Sequence, residues 1–321
     1  MKNITRTQIM VPVQTPSEDT EHHFDICARI VLPTPSRSRE RPIVFFCFPG
    51  GALTGAYFDL GEDDDRAYSF AQAMAEAGHV TVAFDHPGVG LSSRPEDGYA
   101  LHPDLVAAAD HAAVSAVMTR LREGLDGAAP LAGALAVGVG HSMGGVILGL
   151  MQNRFRPFSA VAILGSGPYG LAEHLPEALK PLTNDPQAAR QQIAARLREA
   201  SIPSYMDLTP TPESQAIFHG GDRRGVAAMK AARTNLIVLP GFFAMIPGSW
   251  APEAASIDVP VLLAYGDRDI CADPYATPSF FKGSGDVTLL VLRQTGHSHF
   301  IFPAREGLWR RIDQWANSMA G

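Results

Sequence analysis

Apolar residues in this chain fall into short unbroken runs, each closed by a turn signal, with stretches of helical spacing between them. Ile43 to Phe48 is apolar throughout and stops at Pro49-Gly50-Gly51. His79 to Phe84 ends at Asp85-His86-Pro87-Gly88, and Leu135 to Val139, Ala160 to Leu164, Val259 to Tyr265 and Val287 to Leu292 follow the same form. A strand that is apolar at nearly every position is buried on both faces, as in a parallel sheet covered by helices on two sides. Phe24 to Leu32 also reads as a strand, closed by Pro33.

The intervening stretches change period. Pro103 to Arg122 carries Val114, Val117, Met118 and Leu121 at spacings of three and four, with Gly124 as the stop. A helix is expected over Arg66 to Ala77, another carrying Val146, Ile147 and Leu150, and a last one with Leu308, Ile312, Trp315 and Met319 along one stripe. Strands alternating with helices predict βαβ units in one mostly parallel sheet, an α/β fold. The rhythm lapses from about Pro168 to Trp250, where helical segments such as Gln187 to Glu199 occur without a convincing buried strand. Residues 1–167 and 252–321 are therefore expected to form the α/β core, and residues 168–251 a helical cap inserted into it.

Composition narrows the function classes. Of 321 residues, 46% are hydrophobic and 18% charged, which excludes a disordered or fibrous chain. The net charge of −7 argues against nucleic-acid binding, which needs a basic face. No apolar run approaches the roughly 18 residues of a membrane span, and the first residues lack the apolar core of a secretory signal. Cys27, Cys47 and Cys271 are odd in number and widely spaced, so neither a disulfide framework nor a zinc site is indicated. The expectation is a cytoplasmic protein acting on a small molecule, with no metal, cofactor, nucleic-acid or membrane partner; its oligomeric state is left open.

One motif carries chemistry. Leu135 to Val139 leads into Gly140-His141-Ser142-Met143-Gly144-Gly145, and a helix follows. This is G-x-S-x-G between a buried strand and a helix, the setting in which the serine sits on a sharp strained turn. The backbone N–H groups of the following helix then lie where a developing oxyanion can be held.

With that motif the chain resembles the α/β-hydrolase family along nearly its whole length. Pro49-Gly50-Gly51-Ala52 stands where the family has His-Gly-x, with proline in place of the histidine. Asp85-His86-Pro87-Gly88-Val89-Gly90-Leu91-Ser92 is similar to its D-x-R-G-x-G-x-S turn, with proline in place of arginine. Gly266-Asp267-Arg268-Asp269 resembles its acid-bearing strand end, and Gly296-His297 its histidine loop. The resemblance implies an eight-stranded, mostly parallel sheet with a cap after the sixth strand. It also implies a serine hydrolase that forms an acyl-enzyme, with the order Ser142, Asp269, His297.

Ser142 is then the expected nucleophile and His297 its base. His299 is the competitor, and only one of the two is expected to face Ser142. Asp269 is expected to orient the histidine, with Asp267 as the alternative. Oxyanion donors are expected from the N–H of Met143 and of Gly51 or Ala52. Phe242, Phe243 and Trp250 in the insertion are the candidate walls of an apolar pocket, alongside Tyr205, Phe218, Met245 and Ile246. The run Glu62-Asp63-Asp64-Asp65 reads as charge at the start of the helix over Arg66 to Ala77. Arg223, Arg224, Lys230 and Arg233 read as a solvated helix face, with an anionic substrate as the other possibility. His22-His23 reads as solvated, and His141 as a packing residue. Carbon–carbon bond hydrolysis, cyanohydrin cleavage, acyl transfer, cofactor-free peroxidation and a non-catalytic receptor stay open as alternatives to hydrolysis of an ester, lactone or thioester.

Overall fold

The structure, a computed structural model, describes residues 4–16, 21–35, 42–62, 65–125, 129–208, 221–270 and 273–319. Two strands, β1 (Thr5–Pro16) and β2 (Glu21–Leu32), form an antiparallel hairpin in register from Thr5 opposite Leu32 to Pro16 opposite Glu21. The sheet continues through β3 (Ile43–Phe48), β4 (Val80–Phe84), β5 (Leu135–His141), β6 (Ala160–Leu164), β7 (Val261–Gly266) and β8 (Val287–Leu292). Their spatial order is β1-β2-β4-β3-β5-β6-β7-β8. β2 joins β4 antiparallel, and every later pairing is parallel. This is the eight-stranded, mostly parallel sheet that the resemblance implies.

The unbroken apolar runs are explained by two cores, one on each face. Val44, Phe46 and Phe48 of β3 face α2 (Pro103–Glu123) and α3 (Met143–Phe155), while Ile43, Phe45 and Cys47 face α1 (Phe70–Glu76) and the C-terminal helix. Successive side chains leave a strand on opposite faces, so both parities must be apolar when helices cover both. Between β6 and β7 no strand joins this sheet among the described residues. That stretch holds α4 (Pro186–Glu199), α5 (Arg223–Ala231) and α6 (Val238–Met245), then α7 (Ala251–Ser256) leads into β7, and α8 (Arg305–Met319) closes the chain. A two-residue ladder, Tyr205–Met206 against Leu236–Ile237, ties the insertion to itself.

Two expectations need correction. β1 carries no clear strand signal because the short apolar run from Ile9 to Val13 is interrupted by Pro12 and flanked by polar residues. An edge strand buried on one face needs only alternate apolar positions, and edges tolerate proline. The helix expected from Arg66 begins at Phe70: Asp65–Tyr68 pairs instead with Leu60–Glu62, and Ser69 caps the helix by accepting the Gln72 N–H. The acidic run is thus not the charge at that helix start; its Asp63 and Asp64 lie outside the described residues, as do Cys271 and Phe218.

The turn after β4 is built around a buried carboxylate. Asp85 accepts the N–H of Gly55 at 2.8 Å and of Leu91 at 3.0 Å, and Arg29 of β2 pairs with it. A cation that Pro87 cannot supply therefore arrives from the neighbouring strand.

Trp250 is fully buried, lying against Gly149 of α3 and edge-on to Phe281 with ring centroids 6.0 Å apart. Trp250→Ala is expected to lower stability by about 3–5 kcal/mol through the cavity it leaves, read as a drop in the urea midpoint. An unchanged midpoint would show that this packing is not part of the core.

Candidate active site

β5 ends at His141 and α3 begins at Met143, so Ser142 alone makes the turn between them. Its backbone has φ 53° and ψ −123°, a region that a residue with a side chain occupies at a cost of about 1–3 kcal/mol. The surroundings hold it there. The Ser142 N–H donates to the Leu164 carbonyl at the end of β6 at 2.8 Å, and the Gly145 N–H donates to the Ser142 carbonyl at 2.8 Å. A Cβ on Gly144 would overlap the Phe48 carbonyl oxygen, and one on Gly140 would lie 2.5 Å from the Gly144 carbonyl, so only glycine lets α3 approach the strands this closely.

Asp269 lies in the loop after β7 and gathers four donors. Its Oδ1 accepts the Ile270 N–H at 2.8 Å and the His297 Nδ1–H at 2.6 Å; its Oδ2 accepts the Gly266 N–H at 3.2 Å and the His299 Nε2–H at 2.9 Å. Burial by itself would raise this carboxyl, but the two imidazoles outweigh it and hold Asp269 well below the ordinary carboxylate range. With Nδ1 of His297 donating, Nε2 is left as the ring's acceptor. Of the two candidate histidines, His297 borders the cavity with Ser142, while His299 also reaches Asp269. Residues two apart on an extended chain share a face, and the chain curls into a 3-10 turn at His299–Ile301, so both rings meet the same carboxylate. Asp267 is exposed and instead accepts the Thr295 N–H at 3.1 Å, tying two loops together.

His141 is buried behind this group. Its Nε2 donates to the His297 carbonyl at 2.9 Å, and its ring sits 4.8 Å from that of His297. Burial first, then the neighbouring His297 and His299, push its pKa well below the usual histidine range, so it stays neutral as a buttress. His23 is exposed on β2, and His22 stacks on Phe24, outside this group.

On the other side of Ser142, the Leu53 N–H donates to the Gly50 carbonyl at 3.2 Å and closes a turn over Gly50-Gly51-Ala52. Ala52 has φ 59°, the positive value that the third position of a type II turn requires. Met143 opens α3, where the first N–H groups have no acceptor within the helix.

A family model described as the alpha/beta hydrolase family matches residues 43–306. The chain belongs to this family. Solved α/β hydrolases share its fold at low identity. A thermophilic esterase from Thermogutta terrifontis is 14% identical with a TM-score of 0.58, covering 97% of this chain and 99% of its own. A proline iminopeptidase from Mycobacterium smegmatis is 18% identical with a TM-score of 0.56, covering 96% and 98%. A bromoperoxidase from Bacillus anthracis is 16% identical with a TM-score of 0.55, covering 97% and 99%. No curated protein is matched.

In this α/β hydrolase, Ser142, Met143, Gly51, Ala52, His141 and His297 all line one cavity of about 510 Å³. Its remaining wall is mostly apolar, with Leu53, Leu171, Met229, Leu236, Phe242 and Met245. Of the three aromatics expected there, only Phe242 is in the wall. Phe243 and Trp250 are fully buried in the core: the Arg190 guanidinium lies 5.4 Å over the Phe243 ring, and Trp250 fills the space on Gly149. A short helix turns only part of its apolar surface to a cavity, and adjacent residues on it point about 100° apart. Ile246 is likewise buried, and Tyr205 instead donates to the Pro95 carbonyl at 2.8 Å. Arg233 is in the wall, its Nη2 donating to the Leu208 carbonyl at 2.7 Å, whereas Arg223, Arg224 and Lys230 are exposed on α5. Among the described residues no helix is long and apolar enough to cross a membrane.

The depressed Asp269 pKa gives a stability prediction with a definite sign. A carboxyl whose folded pKa is lowered stabilises the fold fully above the ordinary carboxylate range. That stabilisation is lost as pH falls from this range toward the depressed folded value. Asp269→Asn is expected to cost about 3 kcal/mol at pH 7, because two buried imidazoles lose their anion. The gap from the parent in urea midpoint should narrow as pH drops below the carboxylate range. A gap independent of pH would mean that the carboxylate charge is not what holds the two histidines.

Proposed function

We propose that this protein is a serine hydrolase that cleaves a carboxylic ester, lactone or thioester with a largely apolar acyl part, through an acyl-enzyme on Ser142. The observation that carries this reading is one convergence. A serine on a strained strand-to-helix turn and a histidine bonded to a buried carboxylate border the same apolar cavity.

The chemistry follows from the roles these groups can take. A neutral serine hydroxyl is a poor nucleophile and needs a base. His297, its Nδ1–H held by Asp269, offers Nε2 to take the Ser142 proton as Oγ bonds to the substrate carbonyl carbon. Asp269 stabilises the imidazolium that forms. The carbonyl electrons move onto oxygen, and the N–H of Met143 together with that of Gly51 or Ala52 stabilises this charge. Collapse expels the alcohol or thiol, which takes its proton from His297. Water activated by the same nitrogen then releases the acid and regenerates Ser142. The helical insertion serves as a cap: Met229, Leu236, Phe242 and Met245 bring apolar surface from it to the cavity, which favours apolar substrates.

A fluorophosphonate is expected to label Ser142, as peptide mapping would show, and Ser142→Ala to lower kcat by roughly 10⁴- to 10⁶-fold on p-nitrophenyl esters. Near-normal turnover by a folded Ser142→Ala protein would sink the reading. Across esters of increasing acyl length, Phe242→Ala should change relative kcat/KM by about 10- to 200-fold, the scale of a lost pocket contact. Phe243→Leu should leave the ranking unchanged, since its ring does not reach the cavity. The reverse pattern would place the acyl group elsewhere.

A further inference from the structure

Behind the turn at Pro49 lies a second histidine–carboxylate pair that the hydrolytic steps above do not use. His86 comes from the turn after β4 and Asp110 from the middle of α2, and both side chains are fully buried. His86 Nδ1 is 2.5 Å from Asp110 Oδ2, and His86 Nε2 is 3.0 Å from the Pro49 carbonyl oxygen. The imidazole also stacks on Phe48, with ring centroids 6.3 Å apart and planes 21° apart. Asp110 Oδ1 has no partner among the described residues.

The tautomer follows from the partners. A carbonyl oxygen only accepts, so Nε2 carries a hydrogen and donates it to Pro49, while Nδ1 and Oδ2 share one proton. Burial alone would lower the His86 pKa; the facing Asp110 carboxylate outweighs it and raises it. Such a pair is an expensive way to fill a core, because well-packed apolar residues of the same volume often serve stability as well or better. Its location indicates what it does. The Pro49 carbonyl belongs to the peptide that opens Gly50-Gly51-Ala52, and proline has a fixed φ and no N–H with which to anchor itself. That turn is tight against the site: a methyl group on Gly50 would lie 2.9 Å from His141 Nδ1 and 3.0 Å from Ser142 Cβ. Rotation of the Pro49–Gly50 peptide would swing the N–H groups of Gly51 and Ala52 away from the space above Ser142.

We propose that His86 and Asp110 are positioning residues for the oxyanion turn, with Asp110 orienting His86 and His86 holding the Pro49 carbonyl so that the turn's N–H groups stay aimed above Ser142. This rests on the reading of Ser142 as the nucleophile of a hydrolase. A donor aimed at an oxyanion acts in the transition state, so its loss lowers kcat and leaves KM in place.

The test compares the full-length parent with His86→Leu, His86→Gln and Asp110→Asn, using p-nitrophenyl acetate for kcat and KM, a boronic acid as tetrahedral mimic, and thermal unfolding. His86→Leu should lose roughly 10- to 1,000-fold in kcat, up to the scale of a missing oxyanion donor, with KM within about threefold. Its affinity for the boronic acid should fall in parallel. His86→Gln should recover part of the loss, because its amide nitrogen can replace Nε2 toward Pro49, and Asp110→Asn should fall between the two. Fluorophosphonate labelling of the parent separates the two claims. If the parent is neither labelled nor active, the hydrolase reading fails and this inference with it. If the parent is labelled and active but folded His86→Leu and His86→Gln keep the parent's kcat, or lose activity equally in step with melting temperature, the positioning role alone is overturned.

Discussion

The close approach of α3 to the ends of β3 and β5 is the constraint on which the site depends. A sharp turn at Ser142 demands a backbone conformation that a side-chain-bearing residue resists, and it is stable only because its neighbours leave no alternative. Glycines at 140 and 144 remove the atoms that would collide with the carbonyls around them, and the Leu164 carbonyl takes the Ser142 N–H. The strain is therefore paid by the sheet, which is rigid because helices bury both its faces. The same geometry brings the serine to the cavity at the strand ends, beside the start of α3, whose first N–H groups have no acceptor within the helix.

A second organising interaction is the carboxylate of Asp269. It draws in two imidazoles and two backbone N–H groups, and so ties the loop after β7 to the loop after β8. Buried alone, the charge would be costly; surrounded by four donors it is held ionised. His299 and His141 extend this into a cluster that locks the His297 backbone and ring, with His141 bonded to the His297 carbonyl. The rigidity of this group thus comes from polar contacts between loops, two of whose members, His141 and His297, also line the cavity.

The helical insertion contributes a different quality. It offers few polar groups to the cavity and many flexible apolar ones, Leu236 and Met229 among them. Methionine and leucine fill space without imposing a hydrogen-bonding pattern on it. Its aromatics are divided: Phe242 borders the cavity, while Phe243 and Trp250 fasten the insertion to the core.

How much of this was legible in the chain depends on the range of the physics involved. Strands β3 to β7 announced themselves because burial on both faces demands nearly unbroken apolar runs, and the turn at Ser142 because only glycines permit it; both are local demands written in adjacent residues. The edge strand β1 was silent, since its short apolar run from Ile9 to Val13 is interrupted by Pro12 and only alternate residues, Val11, Val13 and Thr15, are buried. Pairing of Asp269 with His297 was readable only by likeness to a family, and its sharing with His299 was not readable at all, because two loops decide it when they meet. The same holds for Arg29 facing Asp85, for His86 and Asp110 reaching Pro49, and for which of Phe242, Phe243 and Trp250 borders the cavity. Periodicity reports that a residue is buried; what it is buried against is set by the packing of segments distant in sequence, and that only the tertiary structure decided.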